Sequence, residues 1–156
     1  MRIGIYGPAK NEIKHVDAWF ESCREADVIC IADTGSTDGT RERLIELGVR
    51  VTDVRITPWR FDDAFNMAMY LLPDDVDVCI RLDMDERLQP GWRQALERDW
   101  TAETTRLRYP YVWNWNADGT PGRVPFFRTR SSSVSAFIAN DAACKYFHFA
   151  CSSIMY

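Results

Sequence analysis

The segment VDVCIRLDMDER, residues 76–87, joins a run of alternating apolar residues to a cluster of acidic ones. Apolar side chains recur at every second position, which is typical of a buried β-strand: Val76, Val78, Ile80 and Leu82. The carboxylates that follow, Asp83, Asp85 and Glu86, repel one another at this spacing. A divalent cation would relieve the repulsion, because Mg²⁺ and Mn²⁺ prefer oxygen ligands. The segment therefore indicates a metal-bridged phosphate site, although a solvated acidic turn after a buried strand would give the same pattern.

The composition limits the classes of protein that the chain can belong to. Its 156 residues are enough for one domain with a sizeable core. A net charge of −4 and the lack of a basic block argue against nucleic-acid binding. No apolar stretch is long enough for a membrane span and no signal sequence precedes the first strand pattern, so we expect a cytoplasmic protein. The five cysteines form no C-x-x-C pair, and we expect Cys30 and Cys79 to be buried reduced thiols.

Strand and helix patterns alternate along the first hundred residues. Short apolar runs predict three further strands, at residues 3–6, 28–32 and 49–54. Helical spacing of apolar residues predicts helices that begin near residues 13, 41, 62 and 92. The alternation predicts an α/β fold, with a mostly parallel sheet flanked by helices.

Several residues are candidates for the ends of these helices. Ser36 or Thr37 is expected to cap the second helix, and Gly48 to end it. Asp62 and Asp63 are expected to cap the third. Two methionines of that helix, Met67 and Met69, are expected to fill the core.

The chain changes character after residue 130. Residues 104–130 suggest an aromatic hairpin, whereas residues 131–156 contain no arginine and only two charged side chains, Asp141 and Lys145. We therefore divide the chain into a domain at 1–130 and an atypical tail at 131–156, to which no role is assigned. Within the tail, ANDAACKYF at 139–147 suggests a short helix without a clear period.

Three strand-end motifs follow one another along the chain: PAKNE at 8–12, DTGSTDGT at 33–40 and DMDE at 83–86. Together they resemble the GT-A glycosyltransferases of family 2, in which P-x-x-N-E precedes D-D-G-S-T-D-x-T and then D-x-D. The segment FDDAFNMAM at 61–69 is similar to the stretch that precedes D-x-D in that family. The resemblance covers roughly residues 1–95 and implies a Rossmann-like GT-A fold.

The resemblance also implies a nucleotide-sugar site. Donor-binding residues would come from the first motif: Pro8, Ala9, Lys10 and Glu12. Asp33 would hydrogen-bond to the base or ribose, and Asn66 would support the same pocket. Asp83 would face the ribose or a metal-bound water, and Asp85 would bind Mn²⁺ or Mg²⁺ on the diphosphate, which makes both candidate metal ligands.

The implied activity is transfer of a sugar from a UDP- or GDP-linked donor to an unknown acceptor, with inversion at the anomeric carbon. Two departures from the family pattern matter. The first is Thr34, which replaces the second Asp of the loop motif. The second is that the acceptor-side general base is not identifiable, because Asp141 is the only acidic residue and His148 the only histidine after Arg130. We therefore expect a truncated or replaced C-terminal part, and a non-catalytic donor-binding module is the alternative.

A third interpretation takes Asp83 and Asp85 as the paired carboxylates of a metal-dependent phosphohydrolase. That class has Gly-Thr after D-x-D, whereas Glu86 and Arg87 stand here. The motif also lies in mid-chain after two β-α units, which argues against this class.

Overall fold

The computed structural model describes residues 1–105 and 116–118, together with the backbone of 145–148. Its elements, in chain order, are β1 (Ile3–Ala9), α1 (Ile13–Cys23), β2 (Val28–Asp33), α2 (Thr40–Glu46), β3 (Arg50–Asp53), α3 (Phe61–Tyr70), β4 (Val78–Arg81), α4 (Trp92–Asp99) and β5 (Lys145–His148). The strands form one sheet in the order β3-β2-β1-β4-β5, and every neighbouring pair is parallel. The predicted α/β class with a parallel sheet is confirmed.

The segment around β4 is buried as its alternating pattern predicts. Val78 and Ile80 are fully buried, and Val76 and Leu82 at either end are each 1% exposed. Cys79 between them is buried too, so both faces of the strand are covered. Burial on both faces is the usual environment of a parallel strand whose neighbouring helices lie on each side of the sheet.

Two apolar clusters lie on opposite faces of the sheet. Helices α1, α2 and α4 cover one face, through side chains that include Trp19, Leu44 and Leu96. Helix α3 covers the other face with Phe65 and Ala68. Successive residues of each strand point to alternate faces, and the sheet is therefore the middle layer of three.

Gly7 permits the close approach of β1 and β4. A Cβ atom at this position would lie 2.5 Å from the carbonyl oxygen of Leu82. The Leu82 N–H donates to the Tyr6 carbonyl oxygen at 3.1 Å, in the same region. Since backbone cannot move aside as a flexible side chain can, a larger residue at position 7 would push apart the strand ends that carry two of the three motifs.

The ends of α2 follow the prediction only in part. Gly48 has a φ of 84° and follows the last turn, as predicted. The helix begins at Thr40 after Gly39, which has a φ of 93°, so the prediction that Ser36 or Thr37 caps it is wrong. Both side chains instead bond to the loop after β1.

The acidic pair of α3 also differs from its prediction. Asp62 and Asp63 lie inside the first turn, and Arg60 occupies the cap position. Their charge still suits the positive end of the helix dipole. Met69 packs against the core as expected, whereas Met67 is 42% exposed and is not core filler.

One cysteine prediction is corrected. Cys30 is buried with a free thiol, as expected, but Cys79 is disulfide-bonded. Sequence spacing gave no indication of the bond, because the chain has no C-x-x-C pair.

The C-terminal predictions fall mostly outside the described residues, including nearly all of the hairpin at 104–130 and the boundary at 130. Strand β5 overlaps the end of the helix suggested at 139–147, so the helix is wrong for residues 145–147. Pairing with the edge of β4 outweighs a weak local pattern there. No helix in the described part of the chain is long and apolar enough to cross a membrane.

Candidate functional site

The parallel sheet brings the three sequence motifs to one edge. Strand β1 lies between β2 and β4, and the loops that carry the motifs leave the carboxyl ends of these three strands. In the register of the sheet Ala9 pairs with Asp33, and Tyr6 pairs with Arg81. Ligands of open α/β sheets bind at this edge.

The first two motifs are hydrogen-bonded to each other. The Asn11 N–H donates to Ser36 Oγ at 3.0 Å, and the Thr37 N–H donates to Asn11 Oδ1 at 2.7 Å. Asn11 has a φ of 57°, a left-handed conformation that asparagine tolerates better than most residues. These polar residues therefore fix the loop after β1 against the loop after β2.

A second set of hydrogen bonds connects the same loops further along. The Glu12 N–H donates to Thr40 Oγ1 at 2.7 Å, and the Ile13 N–H donates to Asp38 Oδ2 at 3.1 Å. The Thr40 hydroxyl in turn donates to Asp38 Oδ1, and this bond holds the pKa of Asp38 below its ordinary value. The sequence predicted both motifs. It did not predict that several of their side chains serve to hold the two loops together.

Asp33 has one carboxylate oxygen bonded and the other free. It is 2% exposed, and its Oδ1 accepts the N–H groups of Gly35 and Ser36 at 2.9 and 2.8 Å. Its Oδ2 is buried and has no hydrogen-bond partner in the part of the chain that the structure describes. A buried oxygen without a hydrogen bond costs free energy. A ligand that donates a hydrogen bond to Asp33 Oδ2 would remove this cost and bind more tightly.

Asp33 lies on the wall of an open cleft of about 890 Å³, a volume that suits a ligand of nucleotide size. The lining includes Lys10, Arg41, Arg55 and Trp59. Arg41 is held by Asp53 through two hydrogen bonds of 2.7 and 3.3 Å, which raise its pKa. Apart from Lys10, sequence analysis missed these residues, whose only signal is their place just after a strand end or in the first turn of α2.

The turn that carries Asp83 and Asp85 is held from both sides. The Asp83 N–H donates to Glu86 Oε2 at 3.0 Å, and the Glu86 N–H donates back to the Asp83 carbonyl oxygen at 3.0 Å. The Arg87 guanidinium donates to the carbonyl oxygens of Met84 and Glu86, at 2.8 and 2.7 Å. Glu86 and Arg87 therefore position the two candidate metal ligands, a role that sequence analysis did not assign.

The charges around Asp83 favour a cation. Burial, aided by the nearby carboxylates Asp85 and Glu12, raises the pKa of Asp83 to about 6 against the opposing charge of Arg81. Arg81 itself lies over the Phe65 ring, 3.3 Å from its centroid. Among the described residues no group of three or more His, Cys, Asp or Glu side chains could hold a metal ion. An ion bound by Asp83 and Asp85 would therefore complete its coordination with ligand and water oxygens.

The remaining candidate residues are spread around this edge. Lys10 is exposed and shares the cleft with Asp33, whereas Ala9 is buried and Pro8 is half-buried within β1. Asn66 is exposed on α3 and lines a neighbouring cleft of about 600 Å³. Asn66 and Asp33 thus line different clefts.

Replacing Glu86 by alanine is expected to destabilise the fold by about 1–2 kcal/mol, because the partly buried Asp83 N–H loses its acceptor. Glu86→Gln retains an acceptor oxygen and is the matched control, which we expect to keep most of the stability. Chemical denaturation of the metal-free protein measures both. Equal stability of the alanine variant and the parent would contradict the positioning role.

Comparisons of the chain with models of protein families, with curated proteins and with solved structures found no match.

Proposed function

We propose that the chain binds a nucleoside-diphosphate sugar and acts as a metal-dependent glycosyltransferase of GT-A type, similar to family 2. The observation that carries the proposal is the free buried oxygen of Asp33 in a nucleotide-sized cleft, at the sheet edge that also carries Asp83 and Asp85. The ordered motifs place these carboxylates at the ends of β2 and β4, on either side of β1.

The cleft supports recognition of the nucleoside end of the donor. A nucleobase or ribose carries N–H or O–H groups that Asp33 Oδ2 can accept, while Oδ1 stays bonded to the loop backbone. The lining carries three cationic side chains, Lys10, Arg41 and Arg55, beside three acidic ones, Asp33, Glu42 and Asp53. Arg41 is paired with Asp53, so Lys10 and Arg55 are the cations that would contact the phosphate of a ligand.

The D-x-D turn supports binding of the diphosphate. Asp83 and Asp85 would hold Mn²⁺ or Mg²⁺, whose remaining ligands would be diphosphate and water oxygens. When bound, the ion would act as a Lewis acid that stabilises the negative charge of the departing nucleoside diphosphate. Glu86 and Arg87 keep the turn in place, so that little ordering is needed when the ligand arrives.

The acceptor half decides between two functions. An inverting transferase needs a base that deprotonates the acceptor hydroxyl, and Asp141 and His148 are the only residues after Arg130 with carboxylate or imidazole side chains. The second candidate function is a module that binds the donor without transferring the sugar, because the three motifs at the sheet edge account for donor contacts alone. Turnover of the donor with Mn²⁺ distinguishes the two, because the module would bind the nucleotide sugar and leave it intact.

The test of the donor site is calorimetric titration of the full chain with UDP and with GDP, each with and without Mn²⁺. Metal-dependent binding of either nucleotide supports the proposal and identifies the base. Binding of neither, in protein that is folded by circular dichroism, would contradict it and leave the acidic turn as a solvated loop.

Asp33→Asn is expected to weaken nucleotide binding about tenfold, because an amide N–H₂ replaces the free acceptor while Oδ1 still accepts from Gly35 and Ser36. Titration with the nucleotide that the parent binds measures the loss. Asp74→Asn is the matched control, since Asp74 is exposed before the amino end of β4. Unchanged affinity in Asp33→Asn would remove Asp33 from the ligand contacts.

A further inference from the structure

Trp59 is a large exposed apolar side chain on the wall of the Asp33 cleft. Trp59 belongs to the loop between β3 and α3 and is 53% exposed. It is the only aromatic residue among those that the structure places on this lining. Single exposed tryptophans occur on many surfaces, but this one shares its cleft with an unpaired buried carboxylate oxygen.

The chain just after Trp59 enters helix α3, whose Phe65 is part of the core. Arg60 pairs with Asp63 one turn further on, with 2.6 Å between Arg60 Nη2 and the carboxylate. The ring of Phe61 packs on that of Phe65, with centroids 4.9 Å apart, and Phe65 belongs to the core. The indole is therefore presented from an anchored helix start, which lowers the ordering cost of binding against it.

We infer that Trp59 stacks on the nucleobase of the bound nucleotide while Asp33 accepts a hydrogen bond from the edge of that base. An indole face and a planar heterocycle gain from stacking whatever the base, because every base presents a π face. The carboxylate adds selectivity, since it requires a donor group on the edge of the ring. The inference rests on the proposed nucleotide site and assigns the base contact to a loop outside the three motifs.

The division of roles has a measurable consequence. Removing the indole should weaken the binding of nucleoside diphosphates, and the loss should be similar for different bases. Inorganic pyrophosphate has no base, so its Mn²⁺-dependent binding at the acidic turn should not change. A purely structural role of Trp59 would instead reduce the binding of all these ligands together.

The experiment is calorimetric titration of the parent and variants with UDP, GDP and pyrophosphate, all with Mn²⁺. We expect Trp59→Ala to weaken binding of the nucleotide that the parent binds about tenfold or more, and Trp59→Phe to restore most of it. Pyrophosphate affinity should stay at the parental value in both. Tyr70→Ala is the matched control, because Tyr70 is 84% exposed on α3 and lines neither cleft.

The outcomes separate this inference from the proposal on which it rests. A parent that binds no nucleoside diphosphate overturns both. A parent that binds nucleotide, with Trp59→Ala of equal affinity, overturns the stacking role alone and leaves the donor site standing. A loss shared by pyrophosphate also overturns it, because the effect would then not pass through the base.

Discussion

Asp85→Ala is expected to abolish the Mn²⁺-dependent part of nucleotide binding, with a loss of more than about 100-fold. Changes in residues that only support a metal ligand already cost 10- to 100-fold, and Asp85 is proposed as a ligand itself. The structure gives Asp85 no hydrogen bond among the described residues, and the side chain is exposed. Its removal should therefore leave the fold intact, and the loss should be confined to the metal.

The measurement is titration with nucleotide in the presence of Mn²⁺ and in the presence of a chelator. The two conditions should differ for the parent and agree for Asp85→Ala. Asp74→Ala removes one exposed carboxylate before the amino end of β4 and should behave as the parent does. If Asp85→Ala retained metal-dependent binding at the parental affinity, the assignment of Asp85 as a metal ligand would be wrong.

Local pattern was enough to predict β1, β2 and β4, because these strands are buried on both faces. Val78 and Ile80 are apolar and fully buried, so the apolar run marks the strand. Asp33 and Asp83 follow the points where such runs stop, which predicts their positions near strand ends. A side chain that bonds to a distant part of the chain is not visible in such a pattern. Ser36 is a good helix cap by local rules, yet its hydroxyl accepts from the backbone of Asn11, 25 residues away.

The residues of the candidate site were likewise predictable only where they belong to a local motif. The carboxylates Asp33, Asp83 and Asp85 could be identified because they belong to motifs at strand ends. Trp59 belongs to no motif, and only the fold brings its loop to the cleft of Asp33. The bond at Cys79 is likewise not visible in the spacing of the cysteines, because the chain has no C-x-x-C pair.

Asp83 differs from Asp85 in how it affects the stability of the metal-free protein. Burial raises the pKa of Asp83 from 3.8 to about 6, so the folded state holds this proton more tightly than the unfolded state. Between about pH 4 and pH 6 the unfolded chain loses the proton first, and the free energy of unfolding falls as the pH rises. Above about pH 6 the full cost is present, which for a shift of this size is about 2–3 kcal/mol.

Asp83→Asn is therefore expected to stabilise the metal-free protein by about 2 kcal/mol at neutral pH. Near pH 4 the effect should be small, because Asp83 is protonated in the folded state and only partly ionised in the unfolded state. The amide is isosteric with the carboxyl group, and the two hydrogen bonds between the Asp83 backbone and Glu86 remain. Urea unfolding with a chelator, at acidic and at neutral pH, measures the difference.

The same substitution should weaken Mn²⁺-dependent nucleotide binding more than tenfold, because an amide oxygen brings no negative charge to the ion. A gain in stability together with a loss of binding distinguishes a carboxylate that is kept buried for a ligand from one that supports the fold. Parallel stability profiles of Asp83→Asn and the parent across this pH range would show that the Asp83 carboxylate is not held in a costly position. The acidic turn would then need no cation to offset its charge, and the metal would lose its physical rationale at this site.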